Sequence, residues 1–74
     1  MSLEAIIEPS SKIGKNTKIG QNVIIGAFNI IEDDVIIGDG TVIGNHNVIA
    51  NGTRVGKDCR IAHFTSLGGF PQDL

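Results

Sequence analysis

The chain has 74 residues, enough for at most one domain and short enough that a single core is marginal. Its net charge of −2, with acidic and basic residues interspersed, provides no basic footprint for nucleic acid or an anionic membrane. The longest apolar stretches are only a few residues, and the N-terminus has no signal-peptide pattern. The lone cysteine, Cys59, fits a reducing compartment such as the cytoplasm.

Residues 1–4 are a lead-in ahead of a repeat that begins at Ala5. Every sixth residue from Ile7 is aliphatic: Ile7, Ile13, Ile19, Ile25, Ile31, Ile37, Ile43, Ile49, Val55, Ile61 and Leu67. The position after each is Gly at 14, 20, 26, 38, 44, 56 and 68. Two positions before each aliphatic runs a column of mostly small or β-branched residues, from Ala5, Ser11, Thr17 and Val23 through Asn29 and Asn47 to Cys59 and Thr65. Side chains two apart on a strand share a face. Each hexad is therefore a short strand with two inward residues and one outward residue between them, and the residues after the Gly turn the chain. Gly, Asn and Asp cluster there because they tolerate positive φ.

A six-residue unit cannot bury its apolar face alone, so it has to stack into a solenoid that shares one continuous core. Three hexads per coil place residues eighteen apart above one another. The expected fold is all-β, a parallel β-helix of nearly four triangular coils over residues 5–68. The outward residues then differ by face. The first shows Ile6, Ile24, Val42 and Arg60; the second Lys12, Ile30, Val48 and Ser66; the third Lys18, Ile36 and Arg54. Two apolar ladders and a marginal core together predict a homo-oligomer that associates through Ile24, Val42, Ile30 and Val48, or a place in a longer solenoid.

The corner between the first and second faces carries Ser10, Phe28, His46 and Phe64, predicted to stack as a ladder, with His63 just before Phe64. The spacing of His46 and His63 is one residue short of a coil and no third His exists, so no metal site is expected. Asp33 and Asp34 fall at a corner and read as a solvated turn. Gly38-Asp39-Gly40 belongs to the hexad pattern, with no helix following to make a nucleotide loop. Asn51-Gly52-Thr53 is a turn, and Cys59 in the inward column is a packing thiol.

After Leu67 the next inward position, residue 73, is Asp, and the period stops. Residues 69–74 read as a loop leaving the coil, since Pro71 cannot donate a ladder hydrogen bond; with no polar cap over the last coil, the expectation is a truncated chain.

The repeat resembles that of the hexapeptide-repeat acyltransferases, and left-handedness of the β-helix is implied by that resemblance alone. The opening Ala5-Ile6-Ile7-Glu8-Pro9-Ser10-Ser11-Lys12-Ile13-Gly14, the segment Phe64-Thr65-Ser66-Leu67-Gly68 and the closing Pro71-Gln72-Asp73-Leu74 resemble the N-terminal part of the UDP-N-acetylglucosamine acyltransferases of lipid A biosynthesis. This resemblance implies a trimeric enzyme that takes a 3-hydroxyacyl group from acyl carrier protein and needs no cofactor. It places Gln72 and Asp73 at the substrate site, near the glucosamine. It puts the histidine base on a later coil, so no catalytic residue is expected in this chain and the chain alone is expected to be inactive. Two other readings stay open: a non-enzymatic oligomerising scaffold, and an acetyl-CoA-dependent hexapeptide acetyltransferase.

Overall fold

The computed structural model describes residues 5–68. Eleven two-residue strands follow one another at six-residue intervals: β1 (Ile6–Ile7), β2 (Lys12–Ile13), β3 (Lys18–Ile19), β4 (Ile24–Ile25), β5 (Ile30–Ile31), β6 (Ile36–Ile37), β7 (Val42–Ile43), β8 (Val48–Ile49), β9 (Arg54–Val55), β10 (Arg60–Ile61) and β11 (Ser66–Leu67). They form three parallel sheets, β1-β4-β7-β10, β2-β5-β8-β11 and β3-β6-β9. Pairing joins residues eighteen apart, Ile7 with Ile25 and Ile25 with Ile43 on the first face. Three complete coils and two strands of a fourth result. The register is the one that the hexads predict.

Each coil is tied to the next by paired backbone bonds that flank the inward residue. Ile24 N–H donates to Thr41 O at 3.0 Å and Gly26 N–H to Ile43 O at 2.8 Å. Two-residue strands would not persist singly; here the next coil satisfies the backbone groups and the β-branched inward residues fill the space enclosed by the three sheets. Ile25, Ile31, Ile37, Ile43 and Ile49 are at most 1 % exposed, with Val23 and Val35 fully enclosed beside them. Ile7, Ile13, Ile19 and Ile61 pack against this cluster but are half-buried, each on an end coil that is covered from one side.

The recurrent glycine after the inward residue is explained by close approach between coils. A Cβ on Gly38 would lie 2.7 Å from both the carbonyl carbon of Gly56 and the Lys57 nitrogen on the coil above, and both are backbone atoms that cannot move aside. Positive φ falls two residues later in the hexad. Asn16, Asn22, Asp34, Gly40, Gly52 and Asp58 hold it, as the turn chemistry anticipates, but so do Phe28, His46 and Phe64.

Candidate functional site

Gln72 and Asp73, the residues that the sequence resemblance places at a substrate site, lie outside the described residues. The described part carries its chemistry on three corner columns and on the outward faces. At the corners, a side chain on one coil accepts the backbone N–H of the coil before it. Asp33 Oδ1 accepts from Lys15 N–H at 2.7 Å, Asp39 Oδ1 from Gln21 N–H at 2.8 Å and Asn45 Oδ1 from Ala27 N–H at 2.7 Å. His63 takes the same place on the next coil, its Nδ1 accepting from Asn45 N–H at 2.8 Å. An imidazole used in this way carries its proton on Nε2.

These bonds give Asp33 and His63 structural duties. The carboxylate of Asp33 braces its corner, in keeping with a turn rather than an acid/base pair. His63 substitutes for an Asp or Asn in a fold-wide pattern. Among the described residues no three His, Cys, Asp or Glu side chains converge on a common point. Cys59 is a free thiol, half-buried against the core, with Sγ 3.6 Å from Lys57 O.

The corner between the first and second faces is aromatic and stacked. The ring centroids of Phe28 and His46 are 5.2 Å apart with planes 19° from parallel, and those of His46 and Phe64 are 5.2 Å apart at 7°. All three residues are left-handed, with φ between 57° and 60°. The left-handed conformation costs an L-residue about 1–2 kcal/mol, while a stacked aromatic pair contributes about 0.5–1.5 kcal/mol beyond burial. With three left-handed residues and two stacked pairs, stacking offsets only part of the backbone cost, and Asn, Asp or Gly, which fill the equivalent position at the other two corners, would serve the fold as well.

On the third face, Asn16, Lys18, Asp34, Ile36 and Arg54 line an open cavity of about 370 Å³. Arg54 is held at its edge by Nη1, which donates to Asp34 O at 2.8 Å and Gly52 O at 2.9 Å. Two cations, Lys18 and Arg54, flank Ile36 in the strand order β3-β6-β9. The cavity combines positive charge with an apolar floor but has no histidine or cysteine in its lining.

Inside the second face runs a polar column that a hydrophobic reading of the core passes over. Asn29 and Asn47 are each 1 % exposed. Asn29 N–H donates to Ser11 Oγ at 3.0 Å, and Thr65 N–H donates to Asn47 Oδ1 at 2.7 Å. The signal for this column, and for the corner acceptors, is the eighteen-residue spacing of polar residues. It becomes visible once the hexads are taken three at a time.

Residues 16–51 and 34–69 match the family described as bacterial transferase hexapeptide (six repeats). No curated protein matches the chain. Among solved structures, serine acetyltransferase isoform 3 in complex with cysteine from Entamoeba histolytica aligns with a TM-score of 0.47 at 21% identity, over 95% of this chain and 30% of that one. Serine acetyltransferase 1 of the same organism, in complex with L-cysteine, aligns with a TM-score of 0.47 at 19% identity, over 86% of this chain and 31% of that one. The chain thus spans under a third of the length of those proteins, and a likeness of this degree carries nothing about substrate. The all-strand, three-sheet architecture is consistent with a left-handed β-helix. With the repeat matched over most of its length, the chain belongs to the bacterial transferase hexapeptide family.

Proposed function

We propose that this chain is the N-terminal β-helix portion of an O-acyltransferase that transfers a 3-hydroxyacyl group from acyl carrier protein to UDP-N-acetylglucosamine, the entry step of lipid A biosynthesis, within a cytoplasmic homotrimer. The observation that carries the reading is the Pro71-Gln72-Asp73-Leu74 segment following Phe64-Thr65-Ser66-Leu67-Gly68 in a chain of the transferase hexapeptide family. In this reading, residues 69–74 leave the solenoid as a loop, and Gln72 and Asp73 hydrogen-bond the glucosamine. An amide and a carboxylate suit that task, since together they donate to and accept from sugar hydroxyls.

The reaction forms an ester and releases a thiol. A sugar hydroxyl oxygen attacks the thioester carbonyl, the C–S bond breaks, and the hydroxyl proton is taken by a base and delivered to the departing thiolate. That base has to lie within hydrogen-bond reach of the hydroxyl, with a pKa near working pH. The resemblance supplies it as a histidine on a later coil. His46 is packed between two phenylalanine rings and His63 accepts a backbone hydrogen bond, so neither is assigned the role.

The test is an assay of the whole reading frame that carries this chain, with a 3-hydroxyacyl carrier protein and UDP-N-acetylglucosamine. Turnover is expected, and Gln72→Ala and Asp73→Ala should each raise KM for the nucleotide sugar. Turnover with acetyl-CoA and a small acceptor in its place would establish the acetyltransferase alternative. A complete protein that is inert with both acyl donors would leave the scaffold reading.

A further inference from the structure

Among the described strands, the first and second outward faces carry one cation each, Arg60 and Lys12, while the third carries two. Lys18 pairs with Ile36 and Ile36 with Arg54, on the first, second and third coils. Neighbouring strands are about 4.8 Å apart, so the two cationic residues stand on backbones roughly 10 Å apart. Their side chains shorten that gap. Arg54 Nη1 donates to Asp34 O on the coil below at 2.8 Å and to Gly52 O on its own coil at 2.9 Å, which draws the guanidinium down over the second coil, toward Lys18.

Those two bonds account for both hydrogens of Nη1. A guanidinium has five N–H donors, so Nε and Nη2 keep three. The hydrogen bonds of Arg54 go to carbonyl oxygens through Nη1, and none goes to a carboxylate among the described residues. Bracing the coils therefore explains one nitrogen of Arg54. It also fixes the group in place while leaving the planar two-donor edge that grips an oxyanion side-on.

The rest of the lining narrows the chemistry. The cavity of about 370 Å³ falls in the range of about 300–1,000 Å³ for small-molecule sites. Ile36, 37 % exposed, floors it between the two cations. Asn16 and Asp34 line its corner end, each two residues before the strand residue on its coil. An amide and a carboxylate there accept hydrogen bonds from neutral donors such as hydroxyls, and the carboxylate repels a second anionic group. One doubly charged head over Lys18 and Arg54, with a short hydroxyl-bearing body toward Asn16 and Asp34, suits all five residues.

We propose that this third-face cleft binds a small phosphate monoester with a hydroxyl-bearing body, its phosphate held by the Arg54 fork and the Lys18 ammonium. A phosphate monoester carries a second negative charge for the second cation, which a carboxylate lacks. None of the cleft residues is among those invoked for acyl transfer, so the two readings stand or fall separately.

The test titrates glycerol phosphate, inorganic phosphate and glycerol in turn into the chain, followed by calorimetry and by amide resonances. Glycerol phosphate should bind and move the resonances of residues 16, 18, 36 and 54 while those of 12, 30 and 48 stay. Inorganic phosphate should bind more weakly, and glycerol should not bind. Arg54→Gln and Lys18→Gln should each weaken glycerol phosphate by roughly 10-fold or more, as for loss of a charge-assisted hydrogen bond. Arg54→Lys keeps the charge but loses the fork, and should weaken it as well. Arg60→Gln removes the same charge from the first face and should bind like wild type. An Arg60→Gln loss equal to that of Arg54→Gln would reduce the effect to overall charge and overturn the site. Absence of shifts at 16, 18, 36 and 54 overturns it too, and inorganic phosphate binding as tightly as glycerol phosphate overturns the monoester assignment. Circular dichroism checks the fold of each variant. If Arg54→Gln does not fold, Lys18→Gln decides, since Lys18 is exposed and outside the Arg54 brace.

Discussion

Asn29 Oδ1 accepts the backbone N–H of Asn47 at 2.9 Å, joining two buried asparagines on successive coils. The Asn29 amide also donates from Nδ2 to Gly26 O at 3.0 Å and to Gly44 O at 2.8 Å. One side chain therefore satisfies three backbone groups of the second and third coils. Buried polar groups are costly unless paired, and these pairings explain why an amide is accepted within an otherwise aliphatic solenoid.

Asn47 lies in the same column but is less well matched, since its Nδ2 has no hydrogen-bond partner among the described residues. The two positions should respond differently to truncation. Asn29→Ala leaves the Gly44 carbonyl and the Asn47 N–H unpaired, while Gly26 O keeps the Ser11 hydroxyl, and should cost about 2 kcal/mol or more, whereas Asn47→Ala gives up one accepted bond and should cost about 1 kcal/mol. Urea denaturation of the two variants measures the difference. Equal losses would mean that Asn29 does not make the bonds assigned to it.

Adjacent residues of β6 give a sharp test of register. Ile37 is 1 % exposed and Ile36 37 % exposed. Ile37→Asp places an unpaired carboxylate in the middle of the core and should abolish folding. Ile36→Asp puts the same charge beside Lys18 and Arg54 on the surface and should change stability by about 0.5 kcal/mol or less. Circular dichroism and thermal melting decide, and a folded Ile37→Asp would show the register to be wrong.

The two glycines at equivalent places on the third face should also differ. A Cβ at Gly38 would press on the Gly56 and Lys57 backbone, while at Gly56 the nearest contact is Cys59 Sγ at 3.7 Å. Gly38→Ala should destabilise by about 1–3 kcal/mol, the usual range for overpacking. Gly56→Ala should be tolerated. Matching melting temperatures for the two variants would remove close coil approach as the reason for the repeated glycine.

His63 offers a prediction that separates a structural histidine from a chemical one. Its Nδ1 accepts from Asn45 N–H, the role Asp33, Asp39 and Asn45 play elsewhere. His63→Asn should preserve the acceptor and stay within about 0.5 kcal/mol of wild type, and His63→Ala should lose about 1 kcal/mol. In the O-acyltransferase proposed above, neither should lower kcat by more than its effect on folding. A large loss of kcat in His63→Asn, with stability unchanged, would assign the imidazole to the reaction.

Period and composition by themselves determined the repeat, the eleven inward aliphatics, the assignment of residues to three faces and the stacking of Phe28, His46 and Phe64. They could do so because side-chain direction alternates along a strand, and a six-residue unit returns each inward position to the core at a constant interval. Only the tertiary structure decided what the polar residues do. Whether Asp33 braces a corner or faces solvent, whether Asn29 is paired within the core, and whether Arg54 is anchored by Asp34 O depend on atoms of the neighbouring coil, 15 to 20 residues away. The left-handed backbone at the aromatic corner was likewise hidden, because Phe and His rarely adopt it and their identity argues against it. A hydrophobic period is a property of one chain segment, but a hydrogen bond between coils exists only once both coils are in place.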